Sequence, residues 1–467
     1  MPNLATGLRK PFLQCVLLLI CGFILTGCAV STQSSREIEP AAVLNAEQMA
    51  LNLESFDIIW ETIRDKHYDV TLGGLDWQAI GDQHRSLVSS ATTMLDARLA
   101  MQEMILTLEQ SHFVIYPADV YDDAAATEKL ASDSEDTGRK LSHSGIPGHS
   151  GLSLRVLDGH VLVTHVDDDT PAAELGLVPG WELLTIDKID LASRVEKISE
   201  VLEGEPMLGL ILSRSMEARL AGDTEDTILV TCLDADQKKV TIELVLGPAR
   251  GHIFAMGNLP PVRVWTQQDV LPGNIGYFHF NYFLDVMTVM RDYNKAMTSF
   301  MDLPAVIIDL RGNPGGLGAM AMGMAGWFVQ ERGLRLGTMT MRTGEMNFVI
   351  NTRANGYQGK VALLIDDLSA STSEIMAGGM KDLNLARVFG MRTAGAALPS
   401  NIIKLPNGDG FQFAIANYIS EGGEVLEGVG VAPDVEIIPT RESLLTVGDP
   451  ILDAARKWLL QTENTEE

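Results

Sequence analysis

Apolar residues recur at helical spacing from Ala46 to Leu108, with Phe56, Ile59, Trp60 and Ile63 on one face. This spacing predicts two or three helices over 46–116, interrupted by a turn at Gly73-Gly74. The stretch from Tyr116 to Ser150 is rich in Asp, Ala, Ser and Gly and has little periodicity, so residues 117–149 are expected to form a flexible linker. Beyond it, GLSLRVLDGHVLVTHV alternates as two short strands about an Asp158-Gly159 turn. TILVTCL and KVTIELVL add strands after a long helical stretch, which makes a small β-rich unit over 150–250. The pattern then changes. From residue 251 the runs NIGYFHF, AVIIDL, VALLID and RVFGM alternate with helical patterns at Val286–Phe300, Gly318–Val329 and Ser371–Leu383. Continuous apolar runs suit parallel strands buried on both faces, so residues 251–460 are predicted to form an α/β domain, followed by an acidic tail over 461–467.

The first residues follow none of these patterns. Arg9-Lys10 precede an apolar run from Phe12 to Leu25 broken only by Gln14, shorter than the ~20 residues of a spanning helix, so it reads as a secretory signal. The run ends in Leu25-Thr26-Gly27-Cys28, which resembles the lipobox of bacterial lipoproteins. That resemblance implies removal of 1–27, a lipid on Cys28, and a tether over 28–45 to the membrane. Ala29 resembles the outer-membrane sorting pattern, so a periplasm-facing lipoprotein of the bacterial envelope is expected.

Cysteine and charge narrow the picture further. Cys15 and Cys21 fall in the removed segment and Cys28 carries lipid, which leaves Cys232 and no intrachain disulfide. Stability must then come from core burial. Losing residues 1–27 removes two positive charges and no negative ones, taking the formal net charge from −27 to −29. So acidic a chain is not expected to bind nucleic acid or anionic lipid surfaces.

Two glycine- and serine-rich stretches carry the candidate chemistry. In SASTSEIMAGGMKD, Ser371 and Glu374 have the spacing of an ordinary capping box. In DLRGNPGG, Asp309 to Gly316, glycines at a strand end let the backbone approach a ligand and form an anion-binding nest. Together the two stretches resemble peptidase family S41, the C-terminal processing and tricorn-type serine proteases. The resemblance implies an S41-type α/β peptidase core in which Ser371 is the nucleophile. The N–H of Thr372 and one from Gly315 or Gly316 would then form the oxyanion hole, where losing a donor costs ~2.7–4 kcal/mol of transition-state stabilisation. A helix N-terminus suits developing negative charge.

A serine hydroxyl needs a base. The C-terminal processing branch uses a lysine, but Ala396 occupies that place in GMRTAGAA. Lys381 is expected to be solvated, and Lys404 lies on the following strand. The tricorn branch uses a histidine preceded by a serine, and a glutamate ahead of Gly-Val-x-Pro-Asp. LTLEQSHFVIYP supplies Ser111-His112, and VLEGVGVAPDVEI supplies Glu427 before Gly430-Val431-Ala432-Pro433-Asp434. The resemblance implies acyl transfer in which His112 is the base and Glu427 orients it through Ser111. Taken alone, His112 would be a satisfied histidine at a helix C-terminus. His279, the rival base, reads better as core or pocket wall. No histidine has metal-ligand spacing, and neither metal nor cofactor is expected.

In the β-rich unit, Gly151-Leu152-Ser153-Leu154 followed by TPAAELGLVPG resembles a PDZ domain of the bacterial protease type. Trp181 stands where that family usually has Asp, and the insertion around Arg214–Thr227 is longer than its core pattern. Such a module adds a peptide as an edge strand and offers loop N–H groups to a terminal carboxylate, which would place peptide contacts at Gly151–Leu154. The whole reads as a lipid-anchored serine endopeptidase acting on envelope proteins or peptides, with the PDZ-like module recruiting or gating them. The alternatives are a catalytically silent S41-fold protein binding apolar ligands or peptides, and an envelope scaffold. The TAGAALP turn also resembles the retinoid-carrying repeats of the interphotoreceptor retinoid-binding protein. Retention of Ser371, His112 and Glu427 together favours the enzyme.

Overall fold

Three helices open the described chain: α1 (Ala46–Lys66), α2 (Trp77–Ser89) and α3 (Met94–Leu106). The computed structural model describes residues 43–118, 146–202 and 207–461. The signal segment, Cys28 and most of the tether, the central part of the linker, and the tail from 462 onward lie outside the described residues. Among those described, no helix is long and apolar enough to cross a membrane.

Each helix begins at a residue suited to the task. Asn45 and Gln48 exchange side-chain-to-backbone hydrogen bonds across the first turn of α1, while Asp76 and Thr93 accept the third N–H of α2 and α3. The stripe read from the sequence faces inward, with Phe56, Ile59 and Ile63 buried against Met101 and Ile105 of α3. Trp60 and Trp77 each donate an indole N–H to the other's carbonyl. Gly73 and Gly74 take positive φ, as the predicted turn requires. Past α3, the short strand β1 (Val114–Tyr116) leaves this layer.

The β-rich unit is an antiparallel sheet of β2 (Leu152–Leu157), β3 (His160–Val166), β4 (Glu182–Ile186), β5 (Thr227–Leu233) and β6 (Lys239–Val245), in that order. Asp158 and Gly159 both have positive φ, the backbone that a two-residue hairpin demands. Two helices lie between β4 and β5: α4 (Leu191–Val201) and α5 (Leu208–Glu217). Cys232 is a free, buried thiol whose pKa burial pushes up to about 12. One boundary needs correcting. Pro147–His149, read as the end of the linker, pairs with Gly222–Asp223 and Gly247–Pro248 and so belongs to this unit.

The C-terminal half runs β7 (Thr266–Leu271), β8 (Ile275–Phe280), α6 (Val286–Phe300), β9 (Ala305–Asp309) and α7 (Gly318–Ala325). It continues with β10 (Arg335–Met341), β11 (Gly344–Val349), β12 (Lys360–Ile365), α8 (Thr372–Asp382) and β13 (Arg387–Gly390). β14 (Ser400–Lys404), β15 (Gly410–Ala414), β16 (Asn417–Ser420) and β17 (Val435–Glu436) follow, then α9 (Arg441–Val447) and α10 (Pro450–Leu460). The central sheet has the order β7-β8-β9-β12-β13-β17, parallel from β8 onward. Every residue of β9 is buried, as expected of a strand covered on both faces. One face carries α6, α7 and α8, and Ile451, Ala455 and Leu459 of α10 cover the other.

Two small sheets flank this core. β11-β10-β16 packs beside α8, and β1-β15-β14 joins the N-terminal layer to the C-terminal half. Arg98 on α3 reinforces that junction with a double hydrogen bond to the buried Asp409, at 2.9 and 2.6 Å.

Candidate active site

β9 and β12 are parallel neighbours, so the segments that leave their carboxyl ends lie side by side in the crevice where α/β sheets place ligands. One is the glycine loop 310–316; the other is 366–371, which delivers Ser371 to the start of α8. Against the cost of burial, the Arg311 guanidinium holds the Asp309 carboxyl well below the usual range, and Tyr277 donates to the same carboxylate at 2.8 Å. The two loops are joined by short bonds. Ser369 Oγ donates to Leu310 O (2.8 Å), Thr372 Oγ1 to Gly316 O (2.8 Å) and Ser373 Oγ to Asn313 O (2.8 Å).

Gly315 has φ +98, and a Cβ there would lie 2.7 Å from the Thr372 nitrogen and 2.8 Å from Ser371 Cβ. Only glycine permits that approach. The N–H of Gly315 is already donated to Asn313 Oδ1 at 2.9 Å. Those of Gly316 and Thr372 donate to no protein group among the described residues.

Ser371 is partly buried, caps α8, and holds φ +54, a left-handed conformation costly for a residue with a side chain. Its N–H is shared between Ala396 O (2.8 Å) and Glu374 Oε2 (2.9 Å). Glu374, fully buried, also accepts from Thr393 Oγ1 (2.6 Å) and from the N–H groups of Gly395 (2.8 Å) and Ala396 (3.0 Å). Burial pushes its carboxyl up to about 7 against those four donors. Sequence reasoning saw Glu374 only as a helix cap, yet it ties the Ser371 turn to the 393–396 turn.

Ser111, His112 and Glu427 are joined in one hydrogen-bond relay. Ser111 Oγ lies 2.7 Å from His112 Nδ1 and donates to Glu427 Oε2 at 2.8 Å. The Ser111 N–H donates to Oε1 at 2.7 Å, and the Ala397 N–H to Oε2 at 3.0 Å. A hydroxyl has one proton, and here it goes to the carboxylate, so Nδ1 must be the donor to Oγ. The network thus assigns the proton to Nδ1 and leaves Nε2 as an acceptor. Burial lowers the His112 pKa to about 4, so the ring is neutral near pH 7. Burial raises the Glu427 carboxyl, and the Ser111 and Ala397 donors offset part of the rise.

Ser371 and this relay hang on consecutive residues of one turn, since Ala396 O holds the Ser371 N–H and Ala397 N–H holds Glu427. Among the described residues no hydrogen bond joins the Ser371 hydroxyl to the His112 imidazole. His67, at the end of α1, steadies the segment before the histidine. Its Nε2 lies 2.9 Å from Gln110 Oε1, and its ring stacks on Phe113 at 5.6 Å.

Other candidates lie elsewhere. Lys381, expected to be solvated, instead donates to Ala432 O at 2.6 Å and sits 3.7 Å from Asp434. Lys404 is exposed and bonds Gly408 O. His279 is packed edge-on against Trp265 and lines a cavity of about 540 Å³ between the β-rich unit and the core, which neither Ser371 nor His112 lines. Gly151–Leu154 opens β2, where the N–H groups of Leu152 and Leu154 donate to Ser150 Oγ and Glu217 Oε1. No cluster of metal-ligating side chains occurs among the described residues.

Residues 274–437 match the model of Peptidase family S41, and residues 52–105 that of the Tricorn protease C1 domain. The "Probable CtpA-like serine protease" of Staphylococcus haemolyticus is 24% identical over 314 residues, covering 64% of this chain and 56% of that protein. The "Carboxyl-terminal-processing protease" of Synechocystis sp. is 24% identical over 400 residues, 85% of this chain and 82% of the relative. The chain thus spans little more than half the length of the first of these relatives. Two solved structures share the fold. The photosystem II D1 C-terminal processing protease matches with TM-score 0.52 at 18% identity, covering 87% of this chain and 98% of its own. Mature CPAF matches with TM-score 0.58 at 11% identity, covering 89% and 96%.

Proposed function

The chain belongs to peptidase family S41, and from that premise we propose that it hydrolyses peptide bonds with Ser371 as nucleophile and His112 as base. Ser371 Oγ attacks the carbonyl carbon of the scissile bond while its proton passes to His112 Nε2. The oxyanion that forms is received by the N–H groups of Gly316 and Thr372, since that of Gly315 is spent on Asn313. Collapse of the tetrahedral intermediate breaks the C–N bond, and His112 returns its proton to the departing amine. Water, activated by the same imidazole, then releases the acyl group.

Glu427 acts through Ser111: as the imidazole gains charge, the hydroxyl accepts more strongly from Nδ1 while donating to the carboxylate. The observation that carries this reading is the Glu427–Ser111–His112 chain of short bonds, with the tautomer it imposes. A protein that only binds ligands has no use for it. The substrates we assign are proteins or peptides of the bacterial envelope, met by an endopeptidase held to the membrane through a lipid on Cys28. The β-rich unit is then a PDZ-like module that gates the core.

The test is labelling with a fluorophosphonate probe followed by peptide mapping, in wild type, Ser371→Ala, His112→Ala and Glu427→Ala. Label is expected on Ser371, with a rate that falls at least about a hundredfold in His112→Ala. A folded wild-type protein that takes no label, or one whose labelling survives His112→Ala, overturns the reading.

A further inference from the structure

β2 is the edge strand of its sheet, hydrogen-bonded to β3 on one side only. Its free side would be open to an added strand, and the alternate N–H groups of Leu154 and Val156 point there. Both are taken. Leu154 N–H donates to Glu217 Oε1 at 3.1 Å and Val156 N–H to Ser213 Oγ at 3.2 Å, both acceptors being side chains of α5.

The same side of α5 also rests on the two loops that build the candidate active site. Leu210 is buried in one apolar cluster with Leu368, Ala370, Ala394 and Ala396, which brackets Ser371 and the turn that holds its N–H. At Gly209 the helix runs so close to the 366–371 loop that a Cβ would lie 2.5 Å from Asp367 Oδ2. Arg214 donates to Gly312 O at 2.7 Å, in the glycine loop, and pairs with Glu217 at 3.1 Å. Glu217 also pairs with Arg155 of β2, and Arg155 reaches Asp366 at 2.6 Å. Asp366 in turn accepts the Gly312 N–H at 2.9 Å.

We propose that α5 takes the place of a bound peptide on the β2 edge, and that Arg214 is a positioning residue through which this built-in occupant sets the glycine and nucleophile loops. The proposal deepens the peptidase reading and rests on it. The β-rich unit then acts on Ser371 without needing a peptide C-terminus in its groove. A peptide can dock on β2 only by displacing Glu217 and Ser213 from strand N–H groups they already satisfy.

The test compares wild type, Arg214→Met and Arg214→Lys in the full chain. One readout is the rate of fluorophosphonate labelling of Ser371 at saturating probe, with thermal unfolding measured alongside. The second is amide hydrogen exchange in peptides covering 312–316 and 366–371. In Arg214→Met the labelling rate is expected to fall at least about tenfold, the scale of one charge-assisted hydrogen bond. Exchange should quicken in both segments, and Arg214→Lys should restore part of each. Wild type that labels while Arg214→Met labels and exchanges like it overturns the proposal and leaves the peptidase reading standing. Wild type that never labels sinks the peptidase reading, and the exchange data still decide whether α5 holds the loops. The third arm is fluorescence anisotropy of a labelled decapeptide ending in three apolar residues and a free carboxylate, beside its C-terminal amide. No carboxylate-dependent binding to wild type is expected, and saturable binding that also speeds labelling overturns the claim.

Discussion

Replacing Ser111 with alanine isolates the hydroxyl that, in the proposed mechanism, links acid to base. The change removes two hydrogen bonds, the 2.7 Å contact with His112 Nδ1 and the 2.8 Å bond to Glu427 Oε2. Glu427 keeps its other two donors, the N–H groups of Ser111 and Ala397, so the buried carboxylate is not stranded. The cost to folding should therefore be modest, about 1–3 kcal/mol for the lost partner. Catalysis pays separately. With Oγ gone, nothing fixes the proton on Nδ1, and nothing relays the carboxylate's charge as the imidazolium forms. Hydrogen bonds to charged groups contribute about 1.5–3 kcal/mol, which corresponds to a rate loss of about 10- to 150-fold. The assay is the fluorophosphonate labelling rate at saturating probe and pH 7.5, with a thermal melt to show that the variant is folded. Labelling within twofold of wild type, in conditions where His112→Ala is inert, refutes the relay. So does a loss as complete as that of His112→Ala, because the hydroxyl would then be doing more than orienting.

Burial holds the His112 pKa to about 4. A base in the proposed role works only when neutral, so the acid limb of the labelling profile should lie well below the ordinary histidine value of about 6.5, and a limb centred there contradicts the buried ring. Gly315→Ala would drive a Cβ to 2.7 Å from the Thr372 nitrogen at a φ that alanine resists, so labelling should be lost while far-ultraviolet circular dichroism stays native-like. Retained labelling would show that the glycine loop can withdraw without harm. Burial, together with the neighbouring Asp366, raises the Asp367 carboxyl to about 7. The folded state therefore keeps a proton that the unfolded chain releases above about 4, and this group's contribution to stability declines as pH rises from about 4 to 7. Asp367→Asn escapes that decline, so its urea midpoint should gain on wild type between pH 5 and pH 8. A pH-independent difference refutes the assignment.

How much of this could be read without coordinates depended on what kind of signal each part left. β9 and β12 announced themselves as unbroken apolar runs, because strands covered on both faces have no polar side to alternate with. Ser111 and Glu427 meet across 316 positions of sequence, and only a resemblance could have paired them. The β10–β11 hairpin went unnoticed. GEMNFV is largely exposed and RLGTMTM is partly buried, and between them they mix threonine, methionine and charge, so neither carries a clean period of two. The helical pattern at Gly318–Val329 continues beyond α7 as a 3-10 turn over Gly326–Phe328, where Gly326 brings the backbone so near Asn351 that a Cβ would lie 1.8 Å from its carbonyl oxygen. Glu374 was visible as a cap, yet its further role depends largely on backbone N–H groups of 395 and 396, which no side-chain pattern reveals. Ala396 is a similar case: the sequence shows only that no lysine stands there, while the carbonyl at that position holds the Ser371 N–H. α5 was legible as helical, but nothing local in LGLILSRSME says that it will cover a strand edge.

The pairing of β1 with β15 has a temporal side. β1 follows directly on His112, and its partner lies near the far end of the chain, with Glu427 later still. A ribosome makes Ser111-His112 long before either. Until the last strands are in place, the imidazole has neither the sheet that seats it nor the carboxylate that orients it. Ser371 is likewise translated ahead of the 393–397 turn that grips its N–H. In the proposed reading, competence to cut therefore comes only with Glu427: a copy stalled or broken before it retains its serine and histidine but lacks the carboxylate that Ser111 joins to the imidazole.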